Sequence, residues 1–323
     1  MRVLFAGSPA IAVPCLRSLS EMELEGKGVT LVGVLTNPDR PRRHREAEPT
    51  DVSAVASALD AIRRERGFPP IPQLKPEKLD AAAREDVAVL APELLVSFAY
   101  GRIFGPRFLA LFPLGGINIH PSLLPKYRGA SPIPAAIFNR EKETGVYIQK
   151  LAAEMDSGDI IASIKIGLSG RETTASLTET VSEKTALLLR ELLLDFGPRA
   201  AAAKPQTGEV VYCREIKKEA GLIDWGKSAV EIDAQIRAFT PWPLSFTRRG
   251  KDTLIILEAE IAAMQADANA PPGTVLGTNS RGILVQTGDG ILAVKRLQWQ
   301  TKKALDWKAF CNGERDFVGT NLE

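Results

Sequence analysis

The sequence predicts an α/β fold, a mostly parallel sheet covered by helices, followed by a smaller β-rich domain. Apolar runs of strand length alternate with segments of helical periodicity as far as Phe196. That alternation is what a parallel sheet with crossover helices requires. Beyond Gly197 the pattern changes to short strands between glycine-rich turns, as in small barrels and sandwiches. The chain has 323 residues, room for two domains at about 150 residues each.

In order, Arg2–Ala6 reads as a buried strand with Gly7-Ser8-Pro9 as its turn. Ile11–Ser20 reads as a helix that tolerates Pro14 in its first turn. Val29–Thr36 is rich in β-branched residues and predicts a strand. Asn37–Thr50, dense in Pro and Arg, reads as a loop. Asp51–Arg66 reads as a helix capped by Asp51 and stopped by Gly67. Ala81–Glu85 is helix-like, and Val87–Leu90, Leu94–Ala99 and Gly116–His120 are apolar runs of strand length. Ile133–Asn139 predicts a helix, Thr144–Leu151 and Asp159–Ile166 predict strands, and Thr174–Phe196 a long helix with a leucine stripe. Ala, Pro and Lys in Gly197–Gly208 mark a linker. The domains are therefore expected at 1–197 and 213–323, joined by 198–212. In the second, Ser228–Phe239 predicts a helix, and Leu254–Ala259, Gly273–Leu276, Gly282–Gln286 and Ile291–Gln298 predict strands. Thr287–Gly290 is a tight turn between the last two.

Composition narrows the function. Lys and Arg number 41 against 39 Asp and Glu, a net charge of +2, which argues against a globally basic nucleic-acid binder but not a local basic patch. No apolar run reaches the roughly 18 residues of a membrane span. The opening MRVLFAGSPAIAVPC holds one Arg and two prolines, unlike a signal peptide, so a cytoplasmic protein is expected. Cys15, Cys213 and Cys311 are far apart and show no metal spacing. The two histidines, His44 and His120, argue against zinc held by several imidazoles. Gly7-Ser8-Pro9 lacks the GxGxxG of dinucleotide binders, which disfavours a nicotinamide dehydrogenase.

His44 lies in an Arg-rich polar loop, whereas His120 ends an apolar strand in Asn118-Ile119-His120-Pro121-Ser122-Leu123-Leu124-Pro125. Asn118 and His120 alternate along an extended chain, so both side chains share a face. An amide donor beside an imidazole suits oxygen charge developing on a carbonyl. Asp156, in Met155-Asp156-Ser157-Gly158-Asp159, is a carboxylate in a glycine-containing loop before a strand. Paired with His120 it is expected to raise the imidazole pKa and orient the ring.

The stretch INIHPSLLPKYRG, ending at Gly129, closely resembles the signature of formyltransferases that use N10-formyltetrahydrofolate. The resemblance continues in GASPI from Gly129, in Thr144-Gly145-Val146, in Met155–Ile160 and in the opening Val3–Pro9. Gly221-Leu222-Ile223-Asp224-Trp225 and Ile236–Pro243 are similar to the second domain of family members acting on methionyl-tRNA. The resemblance covers nearly the whole chain in order. It implies a Rossmann-like catalytic domain and an OB-like β-barrel.

Carried over residue by residue, it makes Asn118, His120 and Asp156 catalytic. Ser122, Leu123, Leu124 and Pro125 become a folate-contacting loop, and Arg102, Ile103 and Phe104 a segment along the pterin. The implied reaction transfers the formyl group of 10-formyltetrahydrofolate to the α-amine of methionyl-initiator-tRNA, with no metal, by a monomer. The alternative acceptor is an amino-sugar nucleotide. Arg40, Arg42, Arg43 and Arg45 form the densest basic cluster and favour tRNA, since a sugar nucleotide needs no macromolecular footprint. This loop departs from the family's Gly- and Lys-rich stretch. Arg248, Arg249, Lys302 and Lys303 are implied as further tRNA contacts. Trp299 and Trp307 fit either a core or base stacking, whereas Trp225 and Pro241-Trp242-Pro243 read as structural packing.

Overall fold

The computed structural model describes residues 1–42, 45–264 and 269–323, with the side chains of residues 42, 45 and 46 outside that description. The first strands are β1 (Arg2–Ala6), β2 (Thr30–Leu35), β3 (Arg40–Arg42), β4 (Arg45–Glu48), β5 (Gln73–Leu74) and β6 (Leu94–Phe98). Next come β7 (Gly116–His120), β8 (Arg128–Gly129), β9 (Glu143–Lys150), β10 (Ile160–Gly167) and β11 (Tyr212–Cys213). The last are β12 (Ser245–Arg249), β13 (Asp252–Ala262), β14 (Val275–Thr278), β15 (Ile283–Gln286), β16 (Ile291–Trp299) and β17 (Leu305–Asp306). The helices are α1 (Val13–Leu24), α2 (Asp51–Glu65), α3 (Ala81–Val89), α4 (Pro106–Leu109) and α5 (Pro132–Phe138). They continue with α6 (Thr174–Leu194), α7 (Phe196–Ala201), α8 (Ala229–Ala238) and α9 (Trp307–Gly313). The chain divides into two compact units: Met1–Gly129 with Thr144–Ile166 and Thr178–Tyr212, and Ala130–Glu143 with Gly167–Leu177 and Cys213–Glu323.

The first unit is built on a seven-stranded sheet in the order β10-β9-β7-β6-β1-β2-β5. β1 pairs in parallel with both β2 and β6, and β6 with β7, while β9 runs antiparallel to β7. Val3, Leu4, Phe5, Leu94, Leu95 and Val96 are fully buried, as central parallel strands demand. Strand order reverses about β1, and ligands of such sheets bind beyond the carboxyl ends near that reversal. There the Asn37 amide donates to Ser8 Oγ at 3.0 Å and to the Tyr100 carbonyl at 2.9 Å, tying the ends of β1, β2 and β6 together.

The first unit departs from the sequence reading in several places. Val87–Leu90, expected as a strand, ends α3: the Asp80 carboxylate caps the helix by accepting from Ala83 N, and Ala83 and Val87 are buried. An i, i+4 pair facing inward is helical spacing, and Val89 is 85% exposed. The cap of α2 is Thr50, whose Oγ1 accepts from Ser53 N at 3.2 Å, and Asp51 sits in the first turn. Within Asn37–Thr50, read as a loop, β3 and β4 form an antiparallel ribbon with Arg40 opposite Glu48 and Arg42 opposite Arg45. The opposite charges of Arg40 and Glu48 favour such pairing. Arg43 and His44 lie outside the described residues. Residues 198–212 belong to the first unit. Lys204 exchanges backbone hydrogen bonds with Ile160 at 2.7 and 3.0 Å, and Val211 accepts from Arg128 N at 2.9 Å.

The second unit carries a six-stranded antiparallel sheet in the order β12-β13-β16-β15-β14, with β17 on β16. β12, β17 and α9 are elements the sequence reading did not mark. Ile232 and Ile236 of α8 pack against Leu254, Ile256, Leu292 and Val294. A capping box starts α8: Ser228 and Glu231 satisfy each other's backbone N–H groups. Residues 319–323 close the sheet. Glu323 exchanges both backbone hydrogen bonds with Arg248 of β12, and Val275 of β14 donates to Thr320 O at 2.9 Å. Both edges are thereby paired, the arrangement of a small barrel. Gly273 has φ +89° and a Cβ there would strike the Leu322 carbonyl, so the closure requires glycine. Trp225 is buried and its Nε1 donates to Thr247 Oγ1 at 2.9 Å. Trp242, expected to pack, is 56% exposed.

Candidate active site

β7 alternates as its sequence requires. Ile117 and Ile119 are buried in the sheet core, and Asn118 and His120 take the other face. Asn118 lies opposite Gln149 of β9, which brings a second amide to the same place. The loop after β9 then carries Asp156 back. Asp156 adopts φ +53°, a left-handed conformation that Asp tolerates better than most residues. Gly158 permits the loop's close approach, since a Cβ there would collide with the Lys150 carbonyl.

The donors converge on the Asp156 carboxylate. Oδ1 accepts from Asn118 Nδ2 and from Gln149 Nε2, each at 3.2 Å. Oδ2 accepts from the Gly129 backbone N at 2.9 Å and lies 3.5 Å from His120 Nδ1. The structure thus brings Asn118, His120 and Asp156 together. Asn118 carries two amide hydrogens, and one goes to Asp156.

His120 is 4% exposed, and its Nε2 lies 2.8 Å from the Tyr127 carbonyl. A carbonyl only accepts, so Nε2 carries the hydrogen. The neutral ring then turns the Nδ1 lone pair toward Asp156. Burial holds the imidazole below its ordinary pKa against the upward pull of Asp156 and the Tyr127 carbonyl, and the Arg128 charge adds to the lowering. Asp156 does pull the His120 pKa upward, as expected, but the net shift is downward: in a ring so fully desolvated, the cost of charge outweighs one carboxylate at 3.5 Å. In this neutral state both ring nitrogens face internal partners.

Ser122 is fully buried and its Oγ donates to Lys126 O at 2.6 Å, closing the turn that holds Leu123, Leu124 and Pro125. Leu124 is buried and Leu123 half-buried. A Cβ at Gly145 would strike Leu123 Cδ2 and the Ile164 carbonyl, which explains glycine in the Thr144-Gly145-Val146 stretch. Arg102 Nη1 donates to the carbonyls of Pro76 and Glu77 at 2.9 and 2.8 Å. Phe104 is buried against Tyr100, 5.3 Å between ring centroids, while Ile103 is 77% exposed. An apolar side chain held out beyond the sheet suits contact with a planar ring. Among the described residues no cluster of His, Cys, Asp or Glu is arranged to hold a metal, and no helix is long and apolar enough to cross a membrane.

Arg40 on the β3–β4 ribbon is exposed, and the side chains of Arg42 and Arg45, like the whole of Arg43, lie outside the description. In the second unit Arg248, Lys302 and Lys303 are exposed. Arg249 is engaged within the unit, 3.4 Å from Glu314, bonded to Asp316 O at 3.2 Å and over the Phe317 ring. Trp299 donates from Nε1 to Glu314 at 2.9 Å and packs on Phe310 and Phe317, so it belongs to the core. Trp307 packs on that core half-buried. Gln149, Arg128, the Tyr127 carbonyl and the Gly129 N–H are site groups the sequence reading missed. The alternation of Tyr147 and Gln149 in the strand beside β7 was the available signal for Gln149.

Residues 1–193 match the family described as formyl transferase, and residues 215–315 match the formyl transferase C-terminal domain. A methionyl-tRNA formyltransferase of Treponema denticola is 47% identical over 330 residues, covering 100% of both chains. Among solved structures, HypX of Aquifex aeolicus in complex with tetrahydrofolic acid aligns with a TM-score of 0.62 at 17% identity, covering 99% of this chain and 48% of HypX. An N-formyltransferase of Helicobacter canadensis, in complex with folinic acid and dTDP-3-aminofucose, gives 0.62 at 18% identity, over 90% of this chain and 98% of that one. At such identities these two structures establish likeness of fold.

Proposed function

The chain belongs to the formyl transferase family, and from that premise we infer that it moves the formyl group of 10-formyltetrahydrofolate onto the α-amine of methionyl-initiator-tRNA. The observation that carries this is full-length identity of 47% with a methionyl-tRNA formyltransferase. The amino-sugar acceptor rests on a likeness of fold at 18% identity, which carries no substrate.

The first unit supplies the chemistry. The neutral methionyl amine attacks the formyl carbon, forming a C–N bond and an oxyanion. The second N–H of Asn118 stabilises that oxygen, as a donor aimed where charge develops does. The amine becomes cationic on attack and passes a proton to the Asp156–His120 pair, where Nδ1 and Oδ2 face one another across 3.5 Å. Imidazolium then exists only while the oxyanion does. The proton is returned to N10 as the C–N10 bond breaks, giving formylmethionyl-tRNA and tetrahydrofolate. Ser122, Leu123, Leu124 and Pro125, with Arg102, Ile103 and Phe104, hold the folate. The exposed Ile103 and half-buried Leu123 are the apolar surface offered to it.

The tRNA is met by charge. Arg40, Arg42, Arg43 and Arg45 contact its phosphates, and Arg248, Lys302 and Lys303 extend the footprint on the second domain, residues 213–323. Arg249 contributes by holding the barrel end beside them. Incubation with 10-formyltetrahydrofolate and methionyl-initiator-tRNA should yield formylmethionyl-tRNA. Formylation of an amino-sugar nucleotide, with none of tRNA, would overturn the reading.

A further inference from the structure

Gln206 lies between the two family matches, which end at 193 and resume at 215, in the stretch that reads as a linker. Its side chain returns to the Asp156 loop. Oε1 accepts from Arg128 Nε at 3.1 Å and from Arg128 Nη2 at 2.7 Å. Nε2 donates to the carbonyls of Asp156 at 2.8 Å and Gly158 at 2.9 Å, and lies 3.1 Å from Gln149 Oε1.

These bonds have only one polarity. Arg128 carries donors alone, so the Gln206 oxygen must face it. The Gln206 nitrogen then faces the loop carbonyls and Gln149 Oε1, and this turns Gln149 Nε2 toward Asp156 Oδ1 at 3.2 Å. Donors therefore run in one direction, from the guanidinium to the Gln206 amide and from that amide to the carbonyls of the Asp156 loop. Arg128 is 8% exposed and Gln149 1% exposed, so the chain runs through surroundings where each bond strengthens its neighbour.

We propose that Gln206 is a positioning residue for formyl transfer, fixing the Asp156 loop through two of its carbonyls and tying that loop to the Arg128 guanidinium. This rests on the reading of Asp156 as a catalytic group. With its loop fixed, Asp156 keeps Oδ2 toward His120 Nδ1 at 3.5 Å, the placement in which the pair shares a proton. Arg128 is the further charge that acts on His120.

The test follows formyl transfer to methionyl-initiator-tRNA across pH for the wild type, Gln206→Ala and the near-isosteric Gln206→Glu, with Asp156→Asn alongside and melting recorded for all. Gln206→Ala should lower kcat about tenfold to hundredfold, the scale of misplacing a reacting group by ~1 Å, with KM for both substrates nearly unchanged. Gln206→Glu keeps Arg128 occupied, cannot donate to the two carbonyls and adds negative charge, so its acidic limb in kcat should move to higher pH. A displaced limb in Gln206→Glu beside a loss confined to kcat in Gln206→Ala is not produced by a residue that only supports the fold. Wild-type kcat in both variants, or losses that track melting with the limb in place, would overturn the proposal. Should Asp156→Asn be inactive while Gln206→Ala behaves as wild type, only the role of Gln206 falls. If Asp156→Asn keeps wild-type turnover, the reading of Asp156 fails and the proposal with it.

Discussion

At the carboxyl end of β7 the two Asp156 oxygens face four groups, Asn118, Gln149, Gly129 N and His120. On the β3–β4 ribbon Arg40 stands exposed, with Glu48 opposite it across the ladder. One region holds a few atoms at fixed distances in a dry setting, where a misplaced donor costs rate. The other presents charge on a two-stranded ribbon, where placement matters less than number. The same division recurs in the second unit, between Arg249 locked on Glu314 and exposed Arg248 beside it in β12. A residue's neighbours, more than its type, separate chemistry and scaffolding from binding.

The largest effects should follow from β7. Asn118→Ala should lower kcat about a hundredfold to a thousandfold, the usual loss of one oxyanion donor, and His120→Ala about a hundredfold to ten-thousandfold, the usual worth of a group that carries a proton in the transition state, with KM for charged tRNA nearly unchanged in both. Asp156→Asn should lose most turnover while melting near the wild-type temperature, since the amide keeps the shape and loses the capacity to take a proton. Steady-state kinetics on both substrates check this. Equal losses in KM and kcat would erase the division drawn above.

The ribbon should behave in the opposite way. Replacing Arg40, Arg42, Arg43 and Arg45 by Ala should raise KM for charged tRNA and leave KM for the folate alone. The slope of log binding against log salt should become shallower by about one unit for each phosphate no longer neutralised. Binding measured at several salt concentrations decides it. An unchanged slope would make the ribbon an ordinary solvated edge.

Much of this contrast was legible in the sequence, unevenly. Strand β7 was read to its ends because Ile117 and Ile119 alternate with polar residues and Gly115-Gly116 precedes them. Asn118, His120 and Asp156 were singled out through their motif, and their convergence depends on a strand neighbour and a loop return that spacing does not encode. Gln149 was signalled only by its alternation with Tyr147, Gln206 was invisible because a single glutamine in a linker carries no periodicity, and the role of each arises only where β9 and residues 198–212 meet the Asp156 loop. Val87–Leu90 was misread because four apolar residues suit a strand or a helix end equally. The upward pull of Asp156 on the His120 pKa was foreseeable from residue types, whereas the depth of burial that makes the net shift downward was not.

A smaller effect distinguishes His120 from the solvated charges. Its pKa is lowered in the folded protein, so below about 6.5, the ordinary value for histidine, the unfolded chain binds a proton that the native state refuses. Stability should therefore be full above that pH and fall as pH drops from about 6.5 toward the lowered folded value. His120→Asn should lose this portion of the dependence. Denaturant unfolding at several pH values measures it, and an NMR titration of His120 with a midpoint above 6.5 would contradict the cause.

The smallest expected change tests the same division within the barrel. Trp299→Phe keeps a ring against Phe310 and Phe317 but removes the Nε1 bond to Glu314 at 2.9 Å. A hydrogen bond to a charged group contributes about 1.5–3 kcal/mol, reduced here because Glu314 is partly solvated and keeps Arg249 at 3.4 Å. About 1 kcal/mol is the expected loss, a few degrees in Tm at ordinary unfolding entropies. KM for tRNA should not move, because the indole faces the core. Arg248→Ala should give the mirror result, a nearly unchanged Tm and weaker, less salt-sensitive tRNA binding, because its side chain is exposed. If Trp299→Phe weakened tRNA binding with Tm intact, the indole would be stacking on a base, and burial would have failed to separate scaffold from footprint in this unit.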